Sequence, residues 1–420
     1  MGPKTSLSSG ARLPLPKTLT KLLDPLIQKA KQAGMPLYLV GGCVRDLMLG
    51  KEALDIDVVV EGVATPLAKA AARVYKAKLV SHNAFLTHTL VFKDGHHLDI
   101  ATARTETYMA PAALPVVEAS SLQDDLYRRD FSINALAVSL NDLDFGHVWD
   151  AFGGIEDLRA GKIRVLHSES FKDDPTRIFR AARFAGRFKY TIDWRTREWI
   201  ADSIARQEPA QLSAARLREE LVPILNEADP RAALGLLSDW GALSFLIPHL
   251  KWEKAHETLF GHALKAGKGL DPLTLRLLVL VHPLPVAKAI GALGHLMFPQ
   301  KLIGQVEQAL TVLTHLREDG NTFPASVSKR DMSPEVKWFV ERVLKTKALA
   351  PRKNAATDWK RLHESAPCLT GRDIEKLGYK PGPVFSRILS ALRQARWEGK
   401  LRTREEEVRF VRASFPTHAH

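Results

Sequence analysis

One short stretch near the N-terminus, Leu37 to Gly62 (LYLVGGCVRDLMLGKEALDIDVVVEG), restricts this chain more than anything else in it. The apolar run Leu37 to Val40 stops at Gly41-Gly42, and Arg45 and Asp46 follow at the spacing of a first helical turn. That order predicts strand, tight turn and helix. Adjacent glycines let the backbone bend sharply and bring bare N–H groups near an anion, and Arg45 can add a bidentate charge to a phosphate. Gly42 and Arg45 are therefore candidate phosphate ligands. The β-branched run from Leu54 to Val60 predicts a second strand, on which a period of two places Asp55 and Asp57 on one face. Carboxylates that close repel, so keeping both ionised calls for a cation. Mg²⁺ suits the pair, because it takes one or two carboxylates and fills its other positions with water and substrate phosphates. A glycine pair alone is any turn, and Asp-x-Asp alone is common on solvated strand faces. Together, about ten residues apart, they describe a phosphate cradle beside a metal site.

Two further segments carry chemistry. Asp125 to Ala135 (DLYRRDFSINA) sets Arg128 and Arg129 side by side, and adjacent arginines in a packed segment need anionic partners. A surface helix laced with salt bridges satisfies the same pattern. Downstream, Asp173-Asp174-Pro175-Thr176 predicts a helix start with Asp174 as N-cap and Pro175 at the first helical position. At about 100° per residue, Arg177, Arg180, Arg183 and Arg187 fall within roughly a 120° arc. Such an arc repels itself unless something anionic answers it, and a triphosphate with its base would.

At these residues the chain resembles the DNA polymerase beta-like nucleotidyltransferases, and within them the class II tRNA CCA-adding enzymes and bacterial poly(A) polymerases. The resemblance implies an α+β fold: a nucleotidyltransferase head of mixed sheet with helices, then an all-α neck, body and tail. It implies transfer of CMP or AMP from CTP or ATP to a tRNA 3′ end, with release of pyrophosphate and Mg²⁺ as cofactor. Asp55 and Asp57 become the catalytic metal ligands. Such sites use a third carboxylate on a neighbouring strand, which makes Asp99 the candidate. It follows the Asp94-Gly95 hairpin signal, though it also reads as a surface aspartate. The motif Arg-Arg-Asp-x-x-x-Asn-Ala assigns Arg129 to the nucleotide. The base-reading motif assigns Asp174 and Arg177 to the Watson–Crick edge, where a carboxylate accepts from the exocyclic amine of C or A and guanidinium donates to the adjacent ring acceptor. Arg180 and Arg183 become triphosphate ligands. The family usually has Glu where this chain has Asp173. The segment from Ala103 to Ser121 reads as a loop, matching a mobile loop that assists the change of nucleotide specificity in these enzymes.

From Ser213 onward the pattern is helix after helix, broken at Asp229-Pro230 and Pro248, and no His-Asp doublet signals an appended metal phosphohydrolase domain. The block from Leu369 through Pro381-Gly382-Pro383 and the basic helix Val384 to Trp397 resembles the family's tail, which contacts the tRNA elbow; packing without RNA contact is the rival reading. The expected division is a flexible N-terminal tail over 1–18, the head over 19–155, the neck with its base-reading helix over 156–215, the body over 216–346 and the tail over 347–420, with a hinge at 348–356.

Lys and Arg number 60 against 47 Asp and Glu, a formal charge of +13, which favours a polyanionic partner, and nucleic acid over membrane because no stretch approaches eighteen uninterrupted apolar residues. Two cysteines far apart in sequence exclude a disulfide framework and fit a reducing, cytoplasmic compartment. The rivals are an enzyme that adds only CC or only A, a poly(A) polymerase and, from another class, a catalytically silent RNA-binding protein. Retention of both aspartates and the arginine arc argues against the last.

Overall fold

The computed structural model describes residues 11–53, 55–107, 115–317, 332–346, 355–364 and 366–416. The chain divides into two compact units, one of Met1–Arg216 with Ala232–Ala242, the other of Leu217–Arg231 with Leu243–His420.

The first unit opens with α1 (Lys17–Gln32), β1 (Leu37–Val40), α2 (Gly42–Met48), β2 (Ile56–Val60) and α3 (Ala64–Tyr75). Then come β3 (Lys78–His82), β4 (Thr87–Val91), β5 (His97–Thr102), the pair β6 (Arg104–Thr107) and β7 (Val116–Ala119), and α4 (Leu122–Tyr127). They are followed by β8 (Ala137–Ser139), β9 (Val148–Trp149), α5 (Gly154–Ala160), β10 (Lys162–Ile163), α6 (Ser170–Asp173), α7 (Thr176–Phe188), β11 (Thr191–Ile192) and α8 (Trp194–Ala205). Seven strands form one mixed sheet in the order β3-β4-β5-β2-β1-β8-β9, parallel at β2–β5 and antiparallel at its other pairings. The head is thus a mixed sheet with helices, as expected.

Alternation along the strands decides the two faces. Tyr38, Val40, Val59, Ala101 and Ala137 point one way and pack with Leu122 and Leu126 of α4, Ala103, Phe152 and Leu166. By the same period of two, Asp57 and Asp99 lie on this face. Leu39, Val58, Leu98 and Ile100, each at most 1% exposed, fill the other. There α3 begins with the Ala64 amide donating to Thr102 Oγ1 at 2.9 Å. Each such apolar side chain contributes roughly 1.5–3 kcal/mol by leaving water.

Several boundaries differ from the sequence reading. Residues 11–16, expected as flexible tail, are pinned: Arg12 bridges His147, the Leu13 amide donates to Gly146 O, and the Leu13 side chain is buried. One apolar side chain inside a proline-rich segment suffices to hold it. The expected loop 103–121 holds a two-stranded antiparallel ribbon, β6–β7, with 108–114 outside the described residues. The head–neck boundary at 155/156 falls inside α5, whose first residue approaches Ser132 so closely that a Cβ at Gly154 would lie 2.2 Å from its carbonyl oxygen. Of the hinge expected at 348–356, residues 348–354 lie outside the described residues and 355–356 open the helix Ala355–Glu364.

Among its described residues the second unit is built of helices joined by short connections, two of which hold Asp229-Pro230 and Pro248. Its C-terminal part has its own core, in which Ile374, Tyr379, Ile388, Leu392 and Val411 join the helices Gly371–Lys376, Pro383–Trp397 and Arg404–Ser414. No described helix is long and apolar enough to cross a membrane. Cys43 and Cys368 are unpaired, the first buried and the second exposed.

Two histidines are sealed in this unit. His282 donates from Nδ1 to Val279 O at 2.7 Å, its ring meets His256 at 5.2 Å, and its Nε2 is buried with no hydrogen-bond partner. Burial pushes its pKa down to about 3. A base whose folded pKa is depressed loses stability as pH falls below its unfolded value, because only the unfolded chain takes up the proton. Lowering the pH from 7 to 5 should therefore cost about 2 kcal/mol through this group alone. Melting temperatures at the two pH values should fall less for His282→Leu than for the parent.

Candidate active site

The two halves of the N-terminal stretch meet in space. Gly41 adopts φ 72°, a left-handed conformation that favours glycine, and starts α2. Cys43 in the first turn of α2 is buried, and burial, then Asp57, Asp46 and Asp55, push its thiol up to about 12. The turn therefore sits beside both aspartates, and the thiol stays protonated and inert. Asp57 lies on β2 directly opposite Asp99 on β5, and Thr89 Oγ1 donates to Asp99 Oδ1 at 2.5 Å. Asp55 is exposed and stands one residue before β2 rather than on it. Parallel pairing of β2 and β5 thus brings the third carboxylate to the other two.

These carboxylates outnumber the positive charge beside them. Burial raises the Asp57 pKa, Arg129 opposes the rise, and Asp99 and Asp55 add to it. Among the described residues no three His, Cys, Asp or Glu side chains form a closed ligand set. Hard oxygen donors that repel one another, next to one arginine, fit a divalent cation that takes only one or two carboxylates from the protein.

The arginine doublet is organised from below by Asp125, which is fully buried. Asp125 Oδ1 accepts from Arg128 Nη2 at 2.7 Å and Oδ2 from Arg129 Nη2 at 2.9 Å. Burial pushes the Asp125 carboxyl up, yet Arg129 and Arg128 outweigh it, and its pKa is held below the ordinary value. The clamp aims Arg129 at the glycine turn: a Cβ at Gly41 would lie 2.5 Å from Arg129 Nη1. Arg128 turns to Glu106 of β6, which also bonds Arg104. The doublet is therefore a bridge from the glycine turn to the ribbon, not a solvated helix face.

Asp130 and Asn134 explain the rest of that motif. Asp130 takes Arg180 (Nη2 to Oδ2, 2.5 Å) and the Asn134 amide (2.9 Å), and Asn134 Oδ1 accepts from Arg45 Nη1 at 2.6 Å. Arg45, read from sequence as a phosphate ligand, is 5% exposed and committed elsewhere, with Nε and Nη2 on Asp46 at 2.9 Å each and Phe188 4.9 Å from its guanidinium. It holds the turn in place. Gly42 lies beneath it, 3.4 Å from Arg45 Nη2 to a Cβ built there.

On α7 the helix begins at Thr176, one residue later than expected, with Pro175 as N-cap. Asp174 serves the first turn from outside it, accepting from Thr176 N at 3.1 Å and Thr176 Oγ1 at 2.7 Å, and it pairs with Arg216 Nη2 at 2.7 Å. All three bonds fall on Oδ1. Arg177 is 4% exposed and donates to Ser170 Oγ at 2.6 Å and to the Arg128 carbonyl at 2.7 Å. The expected acid–arginine pair is thus held by third parties. Arg180, Arg183 and Arg187 gather around Phe184, 5.1–5.7 Å from its ring. Burial raises the pKa of Asp173, against His167 and Arg177.

The sequence assigns no role to Asp125 or Arg216, and shows Asp130 and Asn134 only as members of the arginine motif. Asp125, Asp130 and Asn134 carry a local signal, Asp125 three and four residues before the arginines and Asn134 four after Asp130. Arg216 lies 42 residues from its partner and gives none.

Comparison with known proteins follows this geometry. Residues 37–164 match the family model "Poly A polymerase head domain", and 189–253 match "Probable RNA and SrmB-binding site of polymerase A". An A-adding tRNA nucleotidyltransferase of Geobacter sulfurreducens is 36% identical over 94% of this chain, which spans about half (47%) of that protein. The A-adding tRNA nucleotidyltransferase of Halalkalibacterium halodurans is 30% identical over 94% of this chain and 92% of its own length. The solved Thermotoga maritima CCA-adding enzyme complexed with tRNA superimposes with a TM-score of 0.69 and 30% identity, over 97% of this chain and 100% of that one.

Proposed function

Since the chain belongs to the tRNA nucleotidyltransferase family, we propose that this enzyme transfers AMP from ATP to a tRNA whose 3′ end already carries CC. The A-adding relatives support the choice of AMP, and the β6–β7 ribbon stands where the resemblance implies a loop used in changing nucleotide specificity. The observation that carries the chemistry is the convergence of Asp55, Asp57 and Asp99 beside the Gly41-Gly42 turn.

Asp55 and Asp57 would hold Mg²⁺, with Asp99 completing the acidic face. Bound there, the metal lowers the pKa of an attacking 3′-hydroxyl and neutralises charge on the triphosphate. The chain's own residues do the rest. Arg129, aimed by Asp125 at the turn, offers its guanidinium to the phosphates, and Arg180 and Arg183 of α7 would add theirs. Asp174 Oδ2, which takes no hydrogen bond among the described residues, is the acceptor for the adenine amine, and Arg177, fixed by Ser170 and Arg128 O, donates to the neighbouring ring nitrogen. The basic C-terminal helices hold the tRNA elbow through phosphates, in a cytoplasmic setting that leaves both cysteines reduced.

A second reading, addition of the whole CCA, is favoured by the likeness to the Thermotoga enzyme. Transcripts ending before the CCA, after C and after CC, each supplied with one nucleotide at a time, separate the two. AMP should be added to the CC end alone. CMP incorporation on the shorter ends together with AMP on the CC end would establish the CCA reading, CMP alone would mark a CC-adding enzyme, and no incorporation on any end would refute transferase activity on tRNA.

A further inference from the structure

We infer that Tyr127 is the stacking platform for the adenine base of the incoming nucleotide, with His167 as the positioning residue behind it. The inference rests on the nucleotide-transfer reading above and deepens it.

Tyr127 is the last residue of α4 and is 48% exposed, although a large aromatic ring at a helix end next to a core normally turns inward. Its neighbours Leu122 and Leu126 pack on the face of the sheet that carries Asp57 and Asp99, together with Phe152 and Leu166. Tyr127 therefore stands on the catalytic side of the head, at the rim of that cluster. Its ring stacks on His167 with centroids 4.8 Å apart and planes 25° from parallel, and Phe152 lies 5.9 Å away. Two aromatic partners fix the ring's orientation while leaving half of its surface open.

The same partners place it beside the base-reading residues. His167 Nε2 is 4.0 Å from Asp173 Oδ2, next to Asp174 in the chain. The residue after Tyr127 gives its carbonyl to Arg177 at 2.7 Å. A ring linked to Asp173 through His167 and to Arg177 through the carbonyl of the next residue is where we place the face of a base whose edge meets Asp174 and Arg177. Hydrogen bonds to the edge fix which base is taken; they supply little of the affinity in water, because the base exchanges them for bonds to solvent. A rigid ring that stacks on the base supplies the remainder and is tolerant of base identity. Selectivity would then reside in Asp174 and Arg177, and affinity for any nucleobase in Tyr127.

The test is equilibrium binding of ATP, and separately of inorganic tripolyphosphate, to full-length protein with Mg²⁺, for the parent, Tyr127→Phe and Tyr127→Leu. Leucine keeps an apolar contact with Phe152 but removes the aromatic face. Tyr127→Phe should bind ATP like the parent, and Tyr127→Leu roughly tenfold more weakly, with tripolyphosphate affinity and melting temperature unchanged in both. In transfer assays the Leu variant should raise KM for ATP and leave kcat near the parent value. Equal ATP affinity in all three proteins would overturn the inference, as would a parallel loss of ATP and tripolyphosphate, since Tyr127 would then serve the phosphate site or the fold. A parent that binds tripolyphosphate as tightly as ATP would instead overturn the base-reading assignment itself.

Discussion

Asp57→Asn should lower the rate of nucleotide transfer about a thousandfold and, in the same protein, raise the melting temperature measured in EDTA. The rate loss follows from removing one anionic donor where several kcal/mol of charge stabilisation is expected, and about 4 kcal/mol corresponds to that factor. The stability gain follows from the sign of the pKa shift. Burial, Asp99 and Asp55 raise the Asp57 carboxyl above its ordinary value despite Arg129. A carboxylate raised in the folded state is a cost to stability above its unfolded pKa, and that cost disappears when the charge does. Asparagine has nearly the same shape and preserves β2, so the opposite movements of rate and stability come from charge alone. Affinity for tRNA should stay within a few fold, because phosphate contacts elsewhere dominate it. Near-parental turnover would sink the catalytic assignment, and a lowered melting temperature would show that Asp57 is held by structural bonds.

The second large effect concerns a residue that touches no substrate. Asp125→Ala should destabilise the protein by roughly 3–5 kcal/mol, the range for breaking a buried ion pair and leaving its partner uncompensated, here with Arg129 losing its carboxylate and Arg128 keeping Glu106. The melting temperature should drop by about 10 °C, and ATP affinity should fall as well because Arg129 loses the anchor that aims it at the Gly41 turn. Held below the ordinary carboxylate range in the folded state, Asp125 contributes stability that is present at neutral pH and lost only as the pH falls through that depressed value. The difference in stability between parent and variant, followed by thermal melting from pH 7 down to pH 3, should therefore shrink toward the acid end. A constant difference would mean that the clamp's value is packing rather than charge.

Both predictions turn on partners that differ in how far the sequence shows them. The strand, turn and helix over Leu37 to Met48, the strand carrying Asp57, the hairpin that delivers Asp99 and the arginine-lined helix α7 were all legible, because periodicity, glycine pairs and proline positions act over a few residues. So was the acidic character of the site, since Asp55 and Asp57 stand two residues apart at the start of that strand, although only Asp57 lies on it. Composition further indicated a polyanionic partner, because sixty basic side chains exceed what ion pairing with forty-seven acids absorbs.

What each arginine does was decided only in three dimensions. Arg45 looked like a phosphate ligand and is spent on Asp46 and Asn134; Arg177 looked like the partner of Asp174 and is fixed by Ser170 and a carbonyl, while Arg216 takes the acid. Asp99 was one aspartate among several until the parallel register of β2 and β5 set it opposite Asp57. The physical reason is range. Local sequence fixes backbone conformation through sterics and hydrogen bonds within a turn or two, and so determines which groups are offered on which face. A guanidinium reaches several ångströms and bonds to whatever oxygen the fold brings near, and that choice depends on pairings between residues tens of positions apart, which only the packed sheet and its helices supply.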